Sequence, residues 1–245
     1  MLTLIAAIRR KPGMTHRAFL RHLHHVHGPL AAANPLRISG YVQNHVFDAS
    51  FGAEGDPAYL TAFGRDSVTE LRFDDMDALA TTMSDPYSRD VIGPDGARFN
   101  DLPSALALLT RSEVLVPPPV SDTGTAPVKV LHFVRPAPQL RQDDVVDRWQ
   151  SAHEQVIAEE GPQAKTVRGW VQHRQVPGAE GALRHFGGTE TVYAGVSALY
   201  YDSEDEALAH FPSYERSLRE RSDETGGFWD PSRSFALYSR EVTIF

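Results

Sequence analysis

Polar and apolar residues follow the same succession of periods in both halves of the chain. Leu2 to Arg9 (LTLIAAIR) is apolar on both alternating faces, the pattern of a central strand covered on each side. Lys11-Pro12-Gly13 turns the chain, and Thr15 is a suitable N-cap for the helical period that follows to about His27. On that helix Phe19, Leu20, Leu23, Val26 and His27 fall on one side, and Arg17, Arg21, His22 and His25 on the other, so only His24 and His27 lie on or near the buried face. Gly28-Pro29 is expected to stop it. In the next strand, Gly40 to Val46, Tyr41, Gln43 and His45 share one face, and Val42, Asn44 and Val46 the other. A polar stretch from Asp48 to Asp66 reads as a long loop, of the kind that more often forms a lid or binding loop than an idle connection. Ser67 to Phe73 is a strand, and Asp74-Asp75 caps a short helix over Met76 to Met83 that ends at Asp85-Pro86-Tyr87. The segment Pro94 to Asp101 then leads to a strand around Leu106 to Val116. Strand, helix, strand, strand, helix, strand is the order of a ferredoxin-like (βαββαβ) unit.

The second half repeats the first. Arg9 and His27 are matched by Arg135 and His153, and Pro12 by Pro138, each 126 residues on. Gly40-Tyr-Val-Gln is matched by Gly169-Trp-Val-Gln at 129, Arg72-Phe73-Asp74 by Tyr200-Tyr201-Asp202 at 128, and Phe99-Asn-Asp by Phe228-Trp-Asp at 129. Matches in order with small drifts imply an internal duplication. The expected organisation is a first unit over 1–116, a Pro/Gly/Ser linker over 117–127 and a divergent second unit over 128–245. Each unit leaves one sheet face bare. The fold expected is therefore α+β, with the two units packed sheet to sheet as a single-chain dimeric α+β barrel, and one chain suffices for a barrel, with further association open.

Composition narrows the function classes. A net charge of −8 argues against nucleic-acid and anionic-membrane partners, which require a basic surface. Cysteine is absent, which excludes thiolate nucleophiles and disulfides and fits a cytoplasmic location. The apolar run Leu2 to Ile8 is too short to span a bilayer, and Arg9 and Arg10 follow it, the reverse of a signal peptide. No GxSxG, P-loop or strand-borne GxGxxG occurs, so serine acyl transfer, kinase and nucleotide-dependent dehydrogenase chemistry lose support.

The run Lys11-Pro-Gly-Met-Thr-His16 leading into Phe19-Leu20, then His27-Gly-Pro-Leu30, Gly40-Tyr-Val-Gln-Asn-His-Val46, Glu70-Leu-Arg-Phe-Asp74 and Ala97-Arg-Phe-Asn-Asp101 resembles the EthD family of the dimeric α+β barrel superfamily. The likeness extends along the first half to Asp101. The second half departs from it: Glu154-Gln155 follows His153, and His173-Arg174 follows Gly-Trp-Val-Gln. The resemblance implies a superfamily that includes cofactor-free cyclases, dehydratases, decarboxylases and monooxygenases and heme-degrading enzymes, with a pocket between the sheet and the helices of one unit.

His16 to Val46 carries six of the eleven histidines and is where the chemistry is expected. His27 and His45 are candidate acid and base, because imidazole titrates near neutrality. Tyr41 and Asn44 would orient a substrate oxygen, and Phe19, Leu23, His24, Ile38, Val42 and Gln43 would bind the substrate. Against these roles, His27 could instead cap a helix C-terminus, and Tyr41, like Trp170, could be a large core residue. His22/His25 and His24/His27 have a spacing that would allow metal binding, but no carboxylate falls within the motif and HExxH is missing, so neither metal nor cofactor is expected. Second-half candidates are His132, His153, Trp170 and His173, with core packing the alternative. The expected function is a cofactor-independent lyase, cyclase or dehydratase using histidine acid–base chemistry on a small, apolar, oxygenated molecule. The alternatives are a cofactor-free monooxygenase and a non-catalytic binding or accessory protein.

Overall fold

A computed structural model describes residues 1–51, 64–119, 127–159, 161–179, 183 and 193–245. Most of the expected Asp48 to Asp66 loop (52–63) and of the 117–127 linker (120–126) lies outside these residues. Eight strands, β1 (Leu2–Ile8), β2 (Gly40–Phe51), β3 (Ser67–Phe73), β4 (Leu106–Val116), β5 (Val128–Val134), β6 (Gly169–Gln175), β7 (Gly195–Tyr201) and β8 (Phe235–Thr243), close into one antiparallel barrel in the order β1-β3-β2-β8-β5-β7-β6-β4. Each half keeps the ferredoxin-like strand order. The bare sheets meet by their edges, β2 pairing with β8 and β4 with β6, so that among the described residues no edge strand is left unpaired. This is the expected single-chain α+β barrel, with the two bare faces curving round a shared interior. Among the described residues no helix is long and apolar enough to cross a membrane.

The barrel interior is apolar at one level, where Ile5, Leu108, Leu131, Phe133, Val196 and Leu237 pack together. At another level it is polar. There Lys129 Nζ, with no solvent exposure, donates to Glu70 Oε1 at 2.7 Å and also contacts Glu241. Asn44 Nδ2 donates to Glu70 Oε1 at 2.9 Å. Burial alone would raise Glu70, but the Lys129 ammonium and these hydrogen bonds hold it down at about 2, and Lys129 is raised by its two carboxylates despite its own burial. A second network joins Thr3 Oγ1 to Ser112 Oγ at 2.8 Å and Ser112 Oγ to His173 Nδ1 at 2.8 Å. The two are placed equivalently: Thr3 and Lys129 are 126 residues apart, Ser112 and Glu241 are 129 apart, and so are Asn44 and His173. Duplication kept the positions and changed the charge.

The helices lie outside the barrel. Thr15 caps α1 (His16–His22) by accepting from the Ala18 N–H at 3.1 Å, and Asp75 caps α3 (Met76–Ser84) by accepting from the Ala78 N–H at 2.8 Å. Gly28-Pro29 does not stop the first helix. A π turn over Leu23–His27 sends the Gly28 N–H five residues back to the Leu23 carbonyl, and α2 (Gly28–Ala33) continues with Pro29 in its first turn. The wider turn removes the clash and the missing donor that proline brings to a regular helix. The device recurs at Ser88–Ile92, where the Gly93 N–H reaches the Ser88 carbonyl and Pro94 opens α4 (Gly93–Phe99), a helix where the sequence suggested a connecting segment. The π turn also shifts the helical phase, so Val26, expected on the buried side, is 42% exposed. In the second half α5 (Gln142–Ala158) and α7 (Glu204–Glu224) are long, and α6 (Pro162–Lys165) is a single turn.

Candidate functional site

On the outer, helix-facing side of β2, Tyr41, Gln43 and His45 form one hydrogen-bonded row. The Gln43 amide donates to the Leu23 carbonyl at 3.0 Å and to the Tyr41 hydroxyl at 2.9 Å. A carbonyl can only accept, so this fixes which end of the Gln43 carboxamide is nitrogen, and its Oε1 must face His45 Nε2 at 3.0 Å. His45 therefore donates from Nε2, and in the neutral ring the lone pair is left on Nδ1. Gly28 makes the row possible: a Cβ there would stand 3.2 Å from Gln43 Nε2 and 3.1 Å from Ile244 Cδ1. Burial raises Tyr41 to about 12, against the opposing hydrogen bonds of Gln43 and Thr69, so it stays a neutral phenol.

His45 opens onto a groove of about 580 Å³ lined by His16, Arg17, Leu20, Arg21, His24, His25, Val46, Phe47 and Arg240. Burial, followed by the charges of His24, His16, Arg240 and His25, lowers His45 to about 4, so it is unprotonated near neutrality. Its ring stands edge-on to His24, with centroids 5.8 Å apart, and His24 Nδ1 is buried without a hydrogen-bond partner. At one end His16 Nδ1 meets Asp66 Oδ1 at 2.8 Å, a carboxylate also held by Arg10. At the other, Arg240 pairs with Glu204 and lies over the Phe47 ring, 5.2 Å from its centroid.

His27 does not join this groove. Its Nδ1 donates to Asp95 Oδ2 at 2.9 Å, while His22 Nε2 donates to the same carboxylate at 3.0 and 3.2 Å. Phe99 packs against both imidazoles. The π turn brings residues five apart to one carboxylate, which is why His22, expected on a solvated face, is partly buried. Burial lowers His27 despite Asp95, and the two histidines depress Asp95 despite its burial. Asn44 and Val42 point through the other face of β2 into the barrel, Asn44 bonding the Val68 carbonyl at 3.0 Å and Glu70. A substrate touching His45 is separated from Asn44 by the sheet. Phe19 and Leu23 are wholly buried in a cluster with Ala6, Ile8 and Phe99, and Ile38 packs with Leu2, Phe73 and Leu79, so none of the three lines the groove. Of the expected set, the structure gathers Tyr41, Gln43, His45 and His24. Among the described residues no cluster of three or more His, Asp or Glu side chains is arranged to hold a metal ion.

The EthD domain pattern matches residues 11–103 and again residues 137–232. The chain belongs to the EthD family. No curated protein matches it. Among solved structures, an anthrone oxidase-like protein aligns with TM-score 0.55 and 10% identity over 99% of this chain and 93% of its own. A candidate monooxygenase from Lactobacillus acidophilus NCFM aligns with TM-score 0.51 and 10% identity over 100% and 94%. A candidate chlorite dismutase aligns with TM-score 0.52 and 12% identity over 99% and 95%. At these identities the likeness is one of fold.

In the second EthD repeat the equivalent space is filled. His153 is wholly buried, with Nδ1 2.7 Å from the Tyr214 hydroxyl and Nε2 3.0 Å from Ser197 Oγ, and it stacks on Trp170 at 4.8 Å. Trp170 stands where the first EthD repeat has Tyr41, and Arg174, donating to Gln172 at 3.3 Å, stands where it has His45. His132 is buried between Phe211 and Trp229 with neither nitrogen bonded, and is lowered by burial to about 4. His173 faces the barrel interior rather than the helices. Asp95, Arg240 and Lys129 carry no local sign of these partners, since His27, Glu204 and Glu70 lie 68, 36 and 59 residues from them along the chain. Arg17 and Arg21 share one polar helix face in the sequence, and that face is the signal for the groove.

Proposed function

We propose that the groove at His45 is the active site of a cofactor-independent acid–base enzyme of the lyase, cyclase or dehydratase type, acting on a small, apolar, oxygenated molecule. The observation that supports this is the His45 imidazole, which is neutral, tethered at Nε2 by Gln43 and left with its Nδ1 lone pair as the acceptor at a groove large enough for such a molecule. Nδ1 takes a proton from an acidic position of the substrate, a phenol or a carbon next to a carbonyl. The imidazolium so formed sits among other cationic groups, is a strong acid, and returns the proton readily to a departing hydroxyl or a second carbon. Tyr41 has almost no exposed surface and acts only through Gln43. It is a positioning residue, as is Gln43. Leu20 and Phe47 supply apolar wall.

The descriptions of the structural relatives favour a second reading, in which the same proton removal yields a carbanion that meets dioxygen. Mass spectrometry of small molecules that co-purify with the protein identifies a substrate, after which His45→Gln is compared with the native chain. The expected result is a fall in kcat of about 10²- to 10⁴-fold without loss of folding; a folded His45→Gln variant with native turnover refutes the assignment. Oxygen uptake matched to turnover selects the monooxygenase reading.

A further inference from the structure

The groove's charge runs against that of the chain. The protein carries a net charge of −8, yet four histidines and three arginines converge on this one opening. The carboxylates near them are already engaged, Asp66 by His16 and Arg10 and Glu204 by Arg240. Arg17 and Arg21, one turn apart on α1, have no hydrogen-bond or ion-pair partner among the described residues, and His24 holds a buried, unbonded Nδ1 beside His45. Unneutralised positive charge beside a half-buried imidazole is unfavourable in the empty groove, and an anion relieves it. The apolar side chains that remain are Leu20 and Phe47, which an ion alone would leave uncovered.

We infer that the ligand of this groove is an organic carboxylate, with an apolar, ring-sized body on Leu20 and Phe47 and its carboxylate on the Arg17 and Arg21 guanidinium groups, facing His24. The planar guanidinium fork matches the two oxygens of a carboxylate. The inference rests on the preceding reading in taking the groove as the substrate's seat, and it adds a reason for His45's depressed affinity for protons. Once the anion is seated, the field of His24, His16, Arg240 and His25 at His45 is partly cancelled, and His45 becomes a better base when substrate is present.

The test needs no turnover. The full chain is titrated with 2-naphthoate and, separately, with the neutral 2-naphthalenemethanol, following the imidazole resonances of His24 and His45 by NMR at low and high salt. The expected result is that naphthoate binds, raises the pH at which His45 titrates and binds more weakly in high salt, while the alcohol binds at least about tenfold more weakly. Arg17→Gln and Arg21→Gln, both exposed positions, are each expected to weaken naphthoate by about three- to tenfold and leave the alcohol unchanged. Equal binding of acid and alcohol, no binding of either, or naphthoate binding unaffected by both arginine variants overturns the inference. Naphthoate bound as expected by a protein whose His45→Gln variant turns over normally would retain the anion site and refute only the catalytic reading.

Discussion

One duplicated cleft has become two different things. In the first half the space between β2 and its helix is an open cationic groove; in the second the space between β6 and α5 is solid core. The difference lies in few side chains. Tyr41 is replaced by the larger Trp170, whose ring lies on His153, and both nitrogens of His153 are taken by Tyr214 and Ser197. The helix differs too: the first is widened by a π turn ahead of Gly28, whereas α5 runs unbroken and buries Trp149, Ala152, His153 and Val156. A buried histidine is therefore no mark of a site by itself. His153 is the more buried and the better bonded, and for that reason it has no lone pair left to offer, while His45 has one.

The largest effect is expected from disturbing what the halves share. Lys129→Ala leaves Glu70 buried without its cation and should cost about 3–5 kcal/mol of stability in denaturant unfolding, with Lys129→Met no better because the carboxylate is still orphaned. A loss below about 1 kcal/mol would mean that the triad is not needed to hold the halves together. The next contrast sets the two clefts against each other. His153→Ala empties a packed position and orphans two hydroxyls, for an expected loss of about 2–4 kcal/mol, whereas His45→Ala, at the rim of an open groove, should cost less than about 1 kcal/mol. Equal losses would erase the distinction between core and site.

Acid should act on both clefts, because each holds a histidine that burial keeps neutral. His132, His173 and His45 are lowered to about 4, and His153 is lowered well below the usual imidazole range, all by burial first. The unfolded chain binds protons at these positions near pH ~6.5 that the folded chain refuses, so stability is highest above that pH and falls as pH drops toward 4, by about 1.4 kcal/mol per pH unit for each such histidine. Replacing His153 by Phe should flatten the slope in thermal melts measured across that window; an unchanged slope contradicts the assignment of a neutral, buried His153. The smallest effect is expected from Gln43→Leu, which frees the His45 ring to rotate. Turnover should fall about tenfold and the acid limb of the pH profile should move, with KM little changed. A shift in KM alone would indicate that Gln43 touches substrate.

Alternation and repetition make the barrel legible in the sequence. β1 is apolar on both faces because one faces the helices and the other the barrel interior, and the matched motifs already paired the halves. The helix end was not legible, because Gly-Pro is an ordinary stop signal and only the backbone shows that the Gly28 N–H has shifted its bond to Leu23. From that one shift follow the exposed Val26 and the shared carboxylate of His22 and His27. In the site, Tyr41, Gln43 and His45 were legible as one face of a strand, and the same alternation placed Asn44 on the opposite side, so a role for it beside His45 conflicted with the parity of the strand. Asp95, Glu204 and Lys129 were out of reach because periodicity reports on neighbours along the chain, whereas charge pairing is made across the fold.

The ionic network inside the barrel has a consequence for assembly that follows from symmetry alone. A barrel closed by two identical subunits must place every group twice, once on either side of its axis, so its interior can hold only even numbers of each charge. Here a single lysine sits between two carboxylates, with neutral Thr3, Ser112 and His173 at the mirrored places. Two copies of the first half would leave each Glu70 facing a threonine where it needs a cation. By joining its halves in one polypeptide, this protein gained an odd number at its centre, and with it a means for each half to recognise the other and refuse itself.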